Sequence, residues 1–404
     1  MKHINNSRIS AFAVFAFSAI LCVVQTNAQI AVRGEKIYTM NGAAITNGVV
    51  LIKDGKISAV GPASSLTVPA NYKVVNAKIV TPGLIDAHSV IGLAGYMNQP
   101  HDQMQVDGSS PMQPELRAID AYNAREELIK WVRSLGVTTI HTGHAPAALI
   151  SGQTMIAKTF GNTVDEATLI PTAMIAVTIG NASLESGGKA PGTTAKEAAM
   201  LRAFLLKAQS YTAKNDVSRD LQMEAMAKVI KREIPLLVTV QRAQDIMTAL
   251  RIAKEFNIKI VLDGVSEAPQ VLEEIKASGF PVILHPTMFR AGGDTESLSM
   301  DTAAKLQKAG IPFSLQSGYE TYVPKTRVVL FEAAILLQHG LTFEQALATI
   351  TTNAAKILAL ETRIGALKPG MDADIALFDG DPFEYTTHAI GTIVNGEIVS
   401  EVVR

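Results

Sequence analysis

The sequence predicts an α/β protein, a (β/α)8 TIM-type barrel joined to a small β-sandwich domain built from both chain termini. Three observations carry this expectation. Strand-like and helical runs alternate between Leu84 and Gln316, as repeated βαβ units require. The segments before residue 80 and after residue 361 share one grammar of short β-forming runs broken by Asn-Gly and Asp-Gly pairs. Roughly 280 residues lie between them, close to the usual size of such a barrel. A doubly wound open sheet is disfavoured, because no Gly-x-Gly-x-x-Gly follows any of the strand-like runs.

Taken in order, residues 1–28 read as a secretory signal peptide. Lys2 and Arg8 supply a positive start, Ala11 to Val24 an apolar run, and Thr26-Asn27-Ala28 a small-residue cleavage site near Ala28. An apolar run of about 14 residues is shorter than the ~20 needed to span a bilayer, so stable membrane insertion is not expected. The mature chain is expected to be periplasmic or secreted. Cys22, the one cysteine in the chain, falls inside this leader. Leu21 before it is too large for the usual lipoprotein processing pattern. The mature protein is therefore expected to lack disulfides, thiolate ligands and a cysteine nucleophile.

Residues 29–80 form the first part of the β-sandwich domain, with hairpin signals at Asn41-Gly42, Asn47-Gly48 and Asp54-Gly55, where both positions tolerate positive φ. Residues 81–360 form the barrel. A helix over 115–135 places Leu116, Ile119, Leu128, Val132 and Leu135 near one face and stops at Gly136 before the β-branched run Val137 to Ile140. The same step recurs as LLVTV before a helix at 243–256, IKIVLDG before EAPQVLEEIKASG, PVILHP before DTAAKLQKAG, and IPFSLQS before a helix at 325–339. Thr342 with Gln345 three residues on is a capping box for a further helix. Residues 361–404 complete the sandwich, with a turn at Asn395-Gly396.

Composition excludes one class of partner. A formal net charge of −1, 18% charged residues and no basic run give nucleic acid nothing to bind. A small-molecule ligand or substrate is expected instead.

The motifs TPGLIDAH at 81–88, LRAIDAYNAREELIKWVRSLGVTTI at 116–140, RAQDIMTALRIAKEF at 242–256, TTNAAKILAL at 351–360 and IGALKPGMDADIALFDGDPFE at 364–384 carry a resemblance. In this order and spacing the chain resembles the amidohydrolase superfamily, in particular its imidazolonepropionase-like and prolidase-like members. That resemblance implies a metal-activated water at the C-terminal ends of the strands. It also implies His-x-His after the first strand, a lysine or glutamate after the fourth, one histidine after each of the fifth and sixth, and an aspartate after the eighth.

Most of those positions hold other residues here. His88 keeps the first ligand position, and Val90 stands where its partner would be. Met174 or Ile175 occupies the fourth-strand place, Gln241 the fifth, Gly264 the sixth, and Gly318 or Ser317 the eighth. One imidazole cannot hold a catalytic ion that normally takes three or four protein ligands. The divergent member is thus expected to lack the standard centre.

Several residues are candidates for replacing it. His141 and His144, just past the second strand, would make a His3 zinc site with His88 if the three converge; the alternative is that they bond backbone carbonyls. His285 is a candidate proton carrier, or a cap for the turn at Pro286. Asp263, Glu267 and Glu320 lie near strand ends and could act as a metal-free acid and base, or be solvated surface groups. Ser317 lacks the setting of a nucleophile elbow. Gln241, Gln316, Ser317 and Tyr319 are expected to line a ligand pocket. The polar segment Gly92 to Pro114 is expected to be a lid, and 184–195 a loop over the same face in which Lys189 is too mobile to be catalytic.

Two functions remain open from the sequence. One is an exported hydrolase of carbon–nitrogen bonds in small molecules. The other is an inactive relative that binds a small ligand, or that pairs with itself as a homodimer or with an active amidohydrolase.

Overall fold

The computed structural model describes residues 29–213, 218–320 and 327–404. The leader expected at 1–28, with Cys22, lies outside them. The described chain opens with four strands, β1 (Ile30–Ile37), β2 (Ile45–Lys53), β3 (Lys56–Pro62) and β4 (Lys73–Pro82). β2 pairs antiparallel with β1 and β3, and β4 lies parallel to β1. Asp54 and Gly55, at φ 52° and 75°, make the turn between β2 and β3, as their sequence requires. Asn47-Gly48 does not turn: it lies inside β2, where Gly48 pairs with Gly34. A Cβ at Gly48 would stand 2.7 Å from the Ile37 side chain, so close strand packing is what this glycine serves.

Ten strands follow in the central region. They are β5 (Leu84–Ser89), β6 (Val137–Thr142), β7 (Ile150–Gln153), β8 (Met155–Lys158), β9 (Thr168–Ile170), β10 (Ile175–Thr178), β11 (Leu236–Val240), β12 (Ile260–Gly264), β13 (Val282–Leu284) and β14 (Phe313–Ser314). They form a six-stranded sheet ordered β14-β13-β12-β11-β10-β7 and a four-stranded sheet ordered β5-β6-β8-β9. Neighbours from β10 to β14 are parallel, as are β5 and β6, whereas β7, β8 and β9 run antiparallel to their partners. The protein is thus an α/β fold with mixed sheets; eight uniformly parallel strands are not what the pairing shows. Backbone bonds link the two sheets at both seams, from Ala87 to Leu315 and Gly318 to His88 on one side, and between Thr154 and both Ala173 and Met174 on the other.

Alternation along these strands feeds two cores. Ile85, Leu237, Val261 and Ile283 point to one face and pack with Ala354, Ala355 and Leu358 from the segment after residue 351. Leu84, Val238, Leu262 and Leu284, one position away, point to the other and pack against helices. Burial on both faces explains why the strands read as continuous apolar runs.

The helices at Ala243–Phe256, Leu272–Ser278, Thr302–Ala309 and Val329–Gln338 fall where the periodicity predicts them. The capping box of Thr342 and Gln345 opens the helix Phe343–Thr349. The helix expected over 115–135 is shorter, running from Glu127 to Ser134. Residues 112–117 instead pair with Ile150 and Gln153 of β7, and the Glu126 carboxylate caps the Leu128 amide, setting a later start.

The chain ends in β15 (Ile375–Phe378), β16 (Ala389–Val394) and β17 (Glu397–Ser400). These join the first four strands in one seven-stranded sheet ordered β17-β16-β15-β4-β1-β2-β3. Lys158 at the end of β8 is 1% exposed and bonds Asp374 and Asp372, just before β15, so an ion cluster buried at the junction ties the terminal sheet to the central strands. No helix among the described residues is long and apolar enough to cross a membrane.

Candidate functional site

Asp263 organises the C-terminal ends of the strands. On β12 it stands two residues beyond Val261, on the same face, and its registered neighbour on β11 is Thr239. That register brings the Thr239 hydroxyl to Asp263 at 2.7 Å. His88 Nδ1, from the end of β5, lies 2.9 Å from the other carboxylate oxygen, which also accepts from the Gln316 amide at 2.8 Å. The expectation of a solvated Asp263 is corrected: the residue has no exposed surface. Burial works against a charged His88, and Asp263 overcomes it, raising the imidazole above its ordinary value.

A second buried carboxylate lies beside the first. Asp86 accepts from the Ser317 hydroxyl and amide and from the His88 amide. Burial raises it to about 7, against the pull of those donors. Ser317 is therefore turned into the protein and holds Asp86. Val90 sits in an apolar cluster with Ala94, Ala145 and Tyr319. The Tyr319 ring lies 5.8 Å from that of His88.

The histidines expected to join His88 do other work. His141 Nδ1 bonds the Ala87 carbonyl and Nε2 the Thr154 hydroxyl, both at 2.7 Å, so neither nitrogen is free for a cation. Burial drives its pKa down to about 3. His144 is buried against Gly152, and desolvation lowers it to about 4. Among the described residues no three His, Cys, Asp or Glu side chains could hold a metal ion together, so the three-histidine convergence expected of His88, His141 and His144 is not found. His285 bonds the Pro286 carbonyl through Nδ1 at 2.8 Å, the turn-capping alternative, and burial lowers it to about 4.

At one of the substituted positions the space for a ligand is occupied as well. Gly264 has φ 85°, and a Cβ there would stand 2.3 Å from Gln241 Nε2. The Gln241 carbonyl oxygen in turn accepts from the Ser266 hydroxyl at 2.6 Å. Gln241 thus lies across the position from which a sixth-strand histidine would project. Gly318, at φ 91°, carries no side chain, and Met174 packs in the inner core. A metal centre of the kind the resemblance implies does not fit this donor set.

A cavity of about 300 Å³ opens beside these strand ends, lined by Gly180, Thr239, Gln241, Phe289, Asp294 and Tyr319 among others. Of the four residues expected to line a pocket, Gln241 and Tyr319 do so. Gln316 and Ser317 lie beneath it, turned to Asp263 and Asp86. Arg327 stacks over Phe289 at 4.9 Å and pairs with Glu320 at 3.0 Å, which gives that carboxylate a structural partner. Glu267 accepts from the Ala243 amide and the Ser297 hydroxyl. The expected lid, 92–114, packs over residues 145–150 through bonds from Ala145 to Gln105 and between Gln113 and Ile150. A larger open groove of about 680 Å³ crosses the terminal sheet at Arg33, Asn47 and Lys78, far from the strand ends in the topology.

Asp86, Asp245 and Asp294 were not singled out by sequence reasoning. Asp86 lies within the TPGLIDAH motif, two residues from His88, and that placement was the available signal. Nothing local marks Asp294, which the fold alone brings to the cavity.

Comparison with known proteins agrees with this framework. An amidohydrolase family model matches residues 110–400. The imidazolonepropionase of Shewanella loihica is 24% identical over 407 residues, covering 88% of this chain and 92% of its own. An amidohydrolase, tasK, of Hapsidospora irregularis is 24% identical over 383 residues; the match covers 83% of this chain and spans 38% of the fungal protein's length. The crystal structure of an amidohydrolase from Thermotoga maritima superposes with a TM-score of 0.85 at 26% identity, covering 92% of this chain and all of that one. These relationships support hydrolysis of carbon–nitrogen bonds as the chemistry associated with the fold. With the family model spanning residues 110–400, well over half of the chain, this chain belongs to the amidohydrolase family.

Proposed function

We propose that this protein is an exported amidohydrolase-family member that binds a small ligand at the strand mouth and has lost the metal-dependent hydrolysis associated with its family. The observation that carries the reading is Gln241 lying where a histidine from position 264 would project, 2.3 Å from any Cβ placed there. Restoring one ligand would therefore require the Gln241 side chain to give up its bond from Ser266 and move aside. Val90 in an apolar cluster and Gly318 without a side chain extend the same pattern around His88. The apolar and positive character of residues 1–28 supports export.

The same reading takes the central strands as a modified eight-stranded barrel. The seams at Ala87–Leu315 and at Thr154–Met174 support closure, with β8 as a reversed member. The terminal sheet is read as a small sandwich folded about Ile52, Val80, Leu367 and Ile393, since Lys56 pairs back to Asp372. Relatives named as imidazolonepropionase and amidohydrolase point to small nitrogen-containing molecules as the ligand class.

Metal content and turnover test the loss of hydrolysis. Protein purified without chelator and incubated with zinc or manganese is expected to retain less than about a tenth of an equivalent, because one imidazole is left where three or four ligands are needed. Stoichiometric metal together with metal-dependent hydrolysis of cyclic amides or dipeptides sinks the proposal.

A further inference from the structure

The cavity is acidic at its Gly180 edge, where Asp294 lines it, and a second carboxylate just behind Gly180 is incompletely satisfied. Asp245, in the first turn of the helix Ala243–Phe256, is 3% exposed, yet its Oδ1 is buried without a hydrogen-bond partner among the described residues. Leaving a buried acceptor unpaired is unfavourable, so such atoms in native proteins call for an explanation. Among the described residues no lysine or arginine forms an ion pair with it; Arg242, three residues earlier, acts on it through its charge without pairing.

Gly180 shows where that carboxylate faces. It lines the cavity and adopts φ 134° and ψ −172°, a conformation essentially restricted to glycine. Its amide is held there by Glu197, which is itself wholly buried. A Cβ at Gly180 would stand 3.3 Å from Asp294 Oδ2 and 3.5 Å from Asp245 Oδ2. Two carboxylate oxygens from separate elements thus approach one point at the edge of the cavity, and the residue beside that point has no side chain. Asp294 is positioned by the Asn181 amide at 2.9 Å and the Asn181 side chain at 2.7 Å, which leaves lone pairs on both of its oxygens. The same cavity is lined by Phe289 and Tyr319, whose rings are 6.4 Å apart at 56°.

We propose that this cavity takes a ligand carrying a positively charged nitrogen, an amidinium or ammonium group held between Asp245 and Asp294, with its apolar part against Phe289 and Tyr319. The converging carboxylates are the feature that selects an organic cation over a neutral molecule of the same shape, while the Tyr319 ring and the edge of Phe289, whose face Arg327 covers, take the apolar part. Burial, then Asp294, raise Asp245 to about 6 against the pull of Arg242, so Asp245 is still largely ionised at neutral pH and gains from a cation that offsets its neighbour. The inference rests on the reading of the cavity as a ligand site and adds the charge of the ligand.

Isothermal titration with isosteric probes separates the two claims. Benzamidine is expected to bind on the order of ten-fold more tightly than neutral benzamide, and tyramine than 4-propylphenol. The preference should fall to about two-fold or less in Asp245→Asn and in Asp294→Asn, with thermal melts confirming that each variant is folded. Tyr319→Ala should weaken all four probes. Equal binding of charged and neutral probes that is still weakened by Tyr319→Ala overturns the cation inference and leaves the ligand site standing. An undiminished preference in both Asn variants also overturns it. Absence of binding by all four probes, or binding indifferent to Tyr319→Ala, overturns both.

Discussion

Asp263 accepts from three donors with no exposed surface, which makes it the least replaceable residue at the strand ends. Asp263→Ala leaves His88, Thr239 and Gln316 without their acceptor and is expected to cost about 3 kcal/mol, because removing one partner strands the other charge in a dry site. Thr239→Val removes one bond and is expected to cost about 1 kcal/mol. Urea unfolding midpoints at unchanged slope measure both, and similar small losses in the two variants would show that water replaces the carboxylate. His141 makes a different test. Its pKa near 3 in the folded protein lies below an unfolded value near ~6.5, so it contributes stability above pH 6.5, and that contribution is lost as pH falls toward 3. Its ring resonances in an NMR titration should stay in the neutral form from pH 8 to about 4.5, as burial requires. A midpoint near 6 would show that the ring is not sealed between Ala87 and Thr154.

Among the elements, β8 bears most on how the parts are joined. It runs antiparallel to β6, and its last residue, Lys158, carries an ammonium group into the terminal sheet to meet Asp374 and Asp372. Asp372 also accepts from Lys56 and Arg363; burial pushes its carboxyl up, but Lys158 first, then Lys56 and Arg363, hold it below the usual range. Lys158→Met keeps the apolar stem and removes the charge, leaving Asp374 buried opposite a thioether. The expected loss is about 3 kcal/mol, read by chemical denaturation. If the two regions unfold in separate transitions in the variant and in one in the parent, the cluster is what couples them. A parent-like curve would assign the coupling to the apolar cores alone. The short helix at Glu127–Ser134 carries a related lesson: the apolar spacing of 115–135 suits a longer helix, but pairing of residues 112–117 with β7 claims the backbone first.

Over the whole molecule, legibility followed the range of the interactions. The alternation of strands and helices, the turns at Asp54-Gly55 and Asn395-Gly396, and the capping box at Thr342 depend on neighbours in sequence, and the structure contains each. The reversed pairing of β7 and β8 joins strands 13 to 27 residues apart without a two-residue turn signal between them, so no local pattern marks it. The same division runs through the site. That Val90, Gln241, Gly264 and Gly318 cannot ligate a metal is a property of the side chains and can be read directly. That Gln241 lies over Gly264, and that Asp245 and Asp294 meet beside Gly180, depends on loops whose paths the sequence does not specify.

The sequence by itself determined the family to which this chain belongs, and led to the expectation that most of the metal ligands implied by the resemblance are replaced. Both follow from residue identity at motif positions. Only the tertiary structure decided what stands in their place. His141 could have been a ligand or a backbone partner, and the carbonyl of Ala87 and hydroxyl of Thr154 made it the latter. Asp263 could have been solvated, and the register of β11 against β12 buried it beneath His88. The physical reason is common to both: a hydrogen-bonding group takes its role from the partners that folding brings within about 3 Å, and partners 13 to 175 residues away leave no mark on the residue's own sequence neighbourhood.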